Sequence, residues 1–303
     1  MINIVTNNHS SALHIQDFLE YLYVSCNAAG IKASYGTGEW LLDSPNIFLE
    51  GGDLTFNKKI VNAKKIYPQL KTYAIVSEFI QDGIFNSANS NWKNPNTTNH
   101  YNDNSYWTKR TEGFFELLPH LDGLICMDSI VYEQYKSIHN KCFYLPLMFS
   151  KELNKTKDDA KFYDAVFSGT LTEHRVSIIN KLRNLGFKIA LLEGATPEYI
   201  RNAIYSQSKI ALGLKLSEET LTFSSMRAFY CLNNEIPHLF ENVNNKSDLY
   251  GFVNFAAGDD LIQSFVDLLN EYPKIKFQFK DYRKFTDSIK QKKLSEFKKW
   301  LLS

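Results

Sequence analysis

The sequence predicts an α/β protein built from two successive parallel-sheet units, and three observations predict it. Short apolar runs alternate with segments whose apolar residues recur at helical spacing. Several runs, such as Ile2-Asn3-Ile4-Val5-Thr6 and Leu124-Ile125-Cys126-Met127, are too apolar to keep a wet face, so both faces of the sheet must be covered. The rhythm stops at residues 150–161, a polar stretch with one large apolar residue, and then restarts. The domains drawn from this are residues 1–150 and 151–303.

In the first unit, strand Ile2–Thr6 ends at Asn7-Asn8. A helix follows, capped by Ser10 or Ser11, carrying Leu13, Phe18, Leu22 and Cys26 on one side and ending at Gly30. Ile47-Phe48-Leu49 runs into Glu50-Gly51-Gly52-Asp53. After a Lys-rich helical stretch, Tyr73-Ala74-Ile75-Val76 runs into Ser77-Glu78. Leu124–Met127, a helix over Ser129–Ile138 and Cys142–Pro146 complete it. Between Asn86 and Asn104 eight of nineteen residues are Asn, a stretch read as either a surface insertion or a substrate-facing lid.

The second unit opens with strand Tyr163–Phe167. Thr172 caps a helix carrying Val176, Ile179, Leu182 and Leu185 up to Gly186. Strand 187–192, helix 197–206, strand 209–214, helix 224–232 and strand 236–240 follow. The two units share no sequence repeat.

Charge and composition narrow the function classes. With 34 Lys+Arg against 33 Asp+Glu the net charge is +1, which lacks the cation excess of an electrostatic nucleic-acid binder. No apolar run reaches the roughly 20 residues that span a bilayer. Met1 leads directly into a strand, so no export signal is expected. The four cysteines form no CxxC pair, and the expected compartment is the cytoplasm.

Arginine is scarce, six residues in all, and Arg175, Arg183, Arg201 and Arg227 fall in the second unit. Arg175 lies in the first turn of the helix that follows Phe167-Ser168-Gly169-Thr170. A glycine at a strand-to-helix turn lets a ligand approach the backbone, and free N–H groups at the helix start favour an anion, with diphosphate the obvious candidate. The alternative is a solvated helix residue. The same reasoning places Lys215 at the carboxyl end of a strand, Ser224, Ser225 and Arg227 at a helix start, and Glu241 at the end of the next strand. Ligands of open parallel sheets bind outside those ends.

The segment Phe223-Ser-Ser-Met-Arg-Ala-Phe-Tyr-Cys-Leu232, followed by Ile236-Pro-His-Leu-Phe-Glu241, resembles the donor-binding half of GT-B glycosyltransferases, over about Asp164–Asn242. The resemblance implies two Rossmann-like domains facing a cleft, with C-terminal helices packing back. The C-terminal domain would hold a nucleotide-sugar and the N-terminal domain an acceptor. Gly169, Thr170 and Arg175 would meet the diphosphate, Lys215, Ser225 and Arg227 would line the same pocket, and Glu241 would close it. Loss of Arg175 or Arg227 would weaken nucleotide binding and leave thermal stability nearly unchanged. Two positions depart from the family pattern: Tyr230 stands where a Glu is usual and Glu235 where a Gly is usual.

No Asp-x-Asp pair is present, so no metal and no cofactor is expected, and leaving-group stabilisation falls to cationic side chains and helix N-termini. If the reaction inverts the anomeric centre, the first domain must supply a base. His14, in the first turns of the first helix, leads; His9, Asp53 and Glu78 are alternatives. His174 and His238 lie close enough in sequence to Arg175 and Glu241 to reach a donor. The expected reaction moves a sugar from a nucleotide-sugar to a glycan or lipid-linked acceptor in bacterial surface-polysaccharide synthesis. A nucleotide-sugar epimerase and a non-catalytic two-lobed binding protein are the alternatives. From Lys274 to Lys299 ten basic residues face three acidic ones, interleaved with aromatics. This suits either a buried packing helix with solvated lysines or contact with an anionic membrane.

Overall fold

A computed structural model describes the chain except residues 7–11, 51–53, 87–103, 158, 193–195, 219, 257–259, 273 and 275–278; of residues 12–15, 54 and 104 it describes the backbone alone. The chain divides into two units, Met1–Leu147 with Ile289–Ser303, and Met148–Ser288. The last fifteen residues therefore pack into the first unit, whereas the sequence boundary put them in the second.

The first unit contains β1 (Ile2–Thr6), α1 (Ala12–Ala28), β2 (Ala33–Thr37), β3 (Asn46–Leu49), α2 (Leu54–Ile66), β4 (Thr72–Val76), a small hairpin of β5 (Ile80–Gln81) and β6 (Ile84–Phe85), α3 (Asn104–Leu117), β7 (Gly123–Cys126), α4 (Ser129–Tyr135) and β8 (Cys142–Tyr144). Its sheet is parallel throughout, in the order β2-β1-β3-β4-β7-β8. The chain turns one way from β1 to β2 and the other way from β3 onward, so the topological switch lies between β1 and β3. Sequence reading missed β2. It is an edge strand, mostly half-buried and without an apolar run, and it fits β1 because Gly36 leaves room for the Asn3 amide, which a β-carbon there would approach to 2.6 Å.

The second unit contains β9 (Tyr163–Ser168), α5 (Glu173–Asn184), β10 (Ile189–Leu192), α6 (Glu198–Ser206), β11 (Ser208–Gly213), α7 (Ser225–Asn233), β12 (His238–Phe240), α8 (Leu261–Glu271) and the start of α9 (Phe279–Leu302). Its parallel sheet runs β10-β9-β11-β12, with the switch between β9 and β11. Strand alternation sorts the core into two layers. Ala165 and Phe167 pack with Ile179, Leu182 and Phe265 of α5 and α8, while Val166 packs on the opposite face with Tyr205, Tyr230 and Cys231 of α6 and α7. Both sheets thus have covered faces, as the apolar runs required.

Three aromatics of α9, Tyr282, Phe297 and Trp300, pack within the two units. Tyr282 lies 5.6 Å from Phe252 in the second unit, and Phe297 and Trp300 pack on Phe143 in the first. Tyr282, Phe297 and Leu301 are buried. No described helix is long and apolar enough to cross a membrane.

Candidate functional site

The second unit's candidate site grows from its topological switch. Thr172 caps α5 by accepting from the Arg175 amide at 3.1 Å, and Ser224 caps α7 by accepting from the Arg227 amide at 3.4 Å. The two arginines therefore occupy equivalent third positions in helices that start at the carboxyl end of the sheet. Their side chains converge on Phe167, the penultimate residue of β9. The Arg175 guanidinium carbon stands 5.1 Å and that of Arg227 5.5 Å from the ring centroid.

Gly169 makes that convergence sterically feasible. Its φ of +144° lies where side chains are rarely found, and a β-carbon added there would stand 2.8 Å from Arg227 Nη2 and 3.6 Å from Arg175 Nη1. Glycine at this turn thus leaves two guanidinium groups side by side against one bare backbone. Burial holds both arginines below the usual guanidinium range, and the charge of Arg227 lowers Arg175 further, with Glu241 opposing.

The two are bonded differently. Arg175, buried, donates from Nη1 to the Thr170 carbonyl at 2.8 Å, from Nη2 to Leu214 at 2.8 Å and from Nε to Lys215 at 2.9 Å. It ties the loop after β9 to the loop after β11. The solvated alternative for Arg175 is therefore wrong, and its three carbonyl bonds argue against the expectation that its loss would spare stability. Arg227, half-buried, makes no side-chain hydrogen bond or ion pair among the described residues. The partners of Arg175 are neutral carbonyls, so neither guanidinium is paired with a carboxylate among the described residues.

Glu241 and Lys215 close the same corner. Glu241 follows β12, accepts from the Lys215 amide at 2.5 Å through Oε2, and lies 2.8 Å from His174 Nε2 through Oε1. Lys215 Nζ donates to the Glu218 carbonyl at 2.9 Å. Gly213, at the end of β11, is required by packing, because a β-carbon there would fall 2.1 Å from the Phe240 ring. Ser225 occupies the first turn of α7, and Thr170 supplies its carbonyl to Arg175. His238, by contrast, is fully buried and sits within hydrogen-bonding distance of the Ile236 carbonyl at 2.9 Å, so it is a core residue and not a donor contact.

The two departures from the family pattern have structural explanations. Tyr230 is buried between α6 and α7, donates to Asn202 Oδ1 at 2.5 Å and carries the Arg201 guanidinium over its ring at 4.6 Å. Glu235 adopts φ +54°, the left-handed conformation that ends α7 and explains why glycine suits the position, and its carboxylate pairs with Arg283. Asn233 and Asn234 beside it anchor residues 150–156. Asn233 exchanges hydrogen bonds with the Ser150 backbone at 2.8 and 3.0 Å, and Asn234 Oδ1 accepts from the amides of Lys155 and Thr156. The first half of the polar stretch that separates the two sequence units is thus held against the end of α7.

In the first unit the carboxyl rim gathers an acidic cluster around the unit's single arginine. Glu50, at the end of β3, is fully buried and accepts from the Ser77 amide at 2.7 Å and hydroxyl at 2.6 Å. Glu78, two residues past β4, remains 19% exposed; Arg110 Nη1 of α3 pairs with its Oε1 at 2.5 Å and Asn86 donates to its Oε2 at 2.6 Å. Arg110 Nη2 stands 3.7 Å from Glu50, and its guanidinium lies over the rings of Phe85 and Trp107. Burial and the neighbouring Glu78 push the Glu50 carboxyl up to about 8, against the pull of Arg110 and Ser77. Sequence reading named Glu78 and missed Glu50 and Arg110. The signal available for the pair was the lone arginine among residues 1–147. His14 lies in the first turn of α1 with only its backbone described; His9 and Asp53 lie outside the described residues.

No family model and no curated protein sequence matches the chain. Among solved structures it is similar to the T4 phage β-glucosyltransferase, with a TM-score of 0.55 and 14% identity over 99% of both chains. It is also similar to a mutant of TarM from S. aureus solved with fondaparinux, α-GlcNAc-glycerol and UDP, at a TM-score of 0.50 and 10% identity. That match covers 86% of this chain and 56% of TarM. The fold of the chain is therefore GT-B, with two Rossmann-like domains.

Proposed function

We propose that the chain is a glycosyltransferase that moves a sugar from a nucleotide-sugar to a glycan or lipid-linked acceptor. The observation that carries this reading is the pair of guanidinium groups on Phe167 beside Gly169, with Arg227 unengaged at the switch point of a parallel sheet. That arrangement suits a diphosphate, whose two phosphates supply the missing negative charge. Arg227 is the direct ligand in this reading. Arg175 positions the Thr170 and Lys215 backbones, and Glu241 with His174 fixes the Lys215 amide. Ser225 and the start of α7 complete the anion site. Charge building up on the departing diphosphate would be stabilised by Arg227 and the helix N-termini, without a metal. The lack of an Asp-x-Asp pair in the sequence favours that.

The acceptor belongs with the first unit, where His14, Asp53 and Glu78 are the candidate bases. The solved enzymes of similar fold support sugar transfer as the reaction class. Surface-polysaccharide synthesis, a cytoplasmic location and contact of the α9 lysines with an anionic membrane are the wider setting this reading expects. The test is calorimetric titration with UDP, GDP and dTDP, followed by turnover of the matching sugar nucleotides. Binding of one diphosphate with loss of affinity in Arg227→Ala supports a donor site. Equal affinity in that variant removes the site. Conversion of the donor to an epimer without acceptor would instead assign the epimerase reaction.

A further inference from the structure

The cluster at the carboxyl rim of the first unit holds two carboxyl groups and one guanidinium in unequal relationships. Arg110 is more than nine-tenths buried and contacts Glu78 at hydrogen-bonding distance, but stands 3.7 Å from Glu50. Its Nε makes no hydrogen bond among the described residues. Glu50 is bonded instead to both donors of Ser77, the residue that precedes Glu78. The Glu78 carbonyl accepts from the Tyr135 hydroxyl at 3.0 Å, and Asn86, in the left-handed conformation at φ +52°, closes the β5–β6 hairpin against its carboxylate. Backbone and side chain of Glu78 are thus fixed from α3, α4 and the hairpin, while Glu78 alone of the two acids reaches the surface.

We propose that Glu78 is the catalytic base for the acceptor hydroxyl and that Arg110 and Glu50 are its positioning residues. The proposal rests on the glycosyltransferase reading above. As the acceptor oxygen bonds to the anomeric carbon, its proton passes to the Glu78 carboxylate. The anomeric carbon–oxygen bond breaks with its electron pair leaving on the nucleoside diphosphate, so configuration inverts. Glu50 serves by holding a proton, which leaves Arg110 to Glu78 alone. The charged and titratable groups that face Glu50 are Glu78 from the end of β4, Arg110 from α3, Tyr135 from α4 and Cys126 from β7, with Tyr106 beside Arg110. The hydrogen bond with Cys142 and burial push the Cys126 thiol up, and burial does the same for the Tyr135 hydroxyl, which leaves Glu50, pushed up to about 8 by burial and Glu78, as the buried acid of the group nearest neutrality. Once ionised, it competes with Glu78 for the one guanidinium.

The experiment measures UDP release from UDP-glucose and UDP-N-acetylglucosamine by the full chain across pH 6–10, with UDP affinity measured in parallel. Glu78→Gln should lower kcat at least about 100-fold with UDP affinity within about twofold. Arg110→Lys should lower kcat at least about tenfold with little change in KM. Glu50→Ala should also lose kcat, and Glu50→Gln, which can accept from the Ser77 amide and donate to the Ser77 hydroxyl, should recover most of it and lack the alkaline decline near pH 8 expected of the parent. Carbon-13 NMR of labelled glutamate carboxyls should show one protonated group at pH 7 that disappears in Glu50→Gln. Parent-like turnover in Glu78→Gln, an alkaline decline retained in Glu50→Gln, or product of retained configuration would each overturn the assignment while leaving glycosyl transfer standing. A parent that binds none of UDP, GDP and dTDP would remove both.

Discussion

Arg227 lies directly over Gly169: a β-carbon at residue 169 would stand 2.8 Å from Arg227 Nη2. The contact links a guanidinium that rests on Phe167 and makes no hydrogen bond or ion pair among the described residues to a turn whose own residue carries no side chain. Arg227→Ala should therefore weaken UDP or the preferred diphosphate by roughly 10- to 100-fold, the value of one or two charge-assisted hydrogen bonds. The thermal transition should stay within a degree or two, because the side chain makes no hydrogen bond to lose. Gly169→Ala should weaken the same ligand by displacing Arg227 and straining φ. Calorimetry on both variants checks the pair, and unaltered affinity in both would reject the anion site.

Arg175 should behave in the opposite way. It donates to three carbonyls across two loops. Arg175→Ala leaves Thr170, Leu214 and Lys215 without those donors in a buried setting, at a cost of about 3 kcal/mol or more. A fall in Tm of several degrees is expected, with any loss of nucleotide affinity following from it. Arg175→Lys should not restore the protein, since a single ammonium cannot span the three acceptors. A Tm like that of Arg227→Ala would show that the carbonyl clamp contributes nothing.

The contrast between these arginines marks where sequence reasoning reaches its end. The Thr172 cap and the helical spacing after it, with a second helix start at Ser224, placed two cations at the carboxyl rim, because caps and periodicity are local properties of the chain. What separates the two is the adjacency of β9 and β11, which brings Leu214 and Lys215 to Arg175 across about forty residues. That is a property of strand order, to which local spacing is blind. Phe167 read as one more apolar strand residue, and only the sheet makes it the platform for both guanidinium groups. Glu50 was hidden in the same way: its partners Ser77, Glu78 and Arg110 come from two further elements.

Glu235 tests the local end of the same logic. Its φ of +54° costs a non-glycine residue about 1 kcal/mol, and the half-exposed pair with Arg283 offsets at most a similar amount. Glu235→Gly should therefore change stability by less than about 1 kcal/mol in either direction. Glu235→Ala, which keeps the strain and loses the pair, should be less stable than both. Chemical denaturation of the three proteins reads the order directly.

His238 predicts a pH dependence whose sign follows from burial. The imidazole has no exposed surface, and its removal from water pushes it down to about 4 from an ordinary value near 6.5, although the Ile236 and Phe252 carbonyls favour the charged form. Between pH 6.5 and 4 the unfolded chain takes up a proton that the folded chain refuses. Stability contributed by the neutral ring is thus complete above pH 6.5 and is lost as pH falls, by about 2 kcal/mol at pH 5 and about 3 kcal/mol at pH 4. Glu50 works in the opposite direction, since a carboxyl raised to about 8 loses its stabilising contribution as pH rises from the ordinary carboxyl range towards 8. The raw stability profile therefore mixes the two, and the informative quantity is the difference between the parent and His238→Asn. That difference should be flat above pH 7 and shrink by about 2 kcal/mol at pH 5, because the variant has no ring to protonate. Parallel profiles over pH 4–7 would mean that the ring is protonated as readily in the folded chain as in the unfolded one.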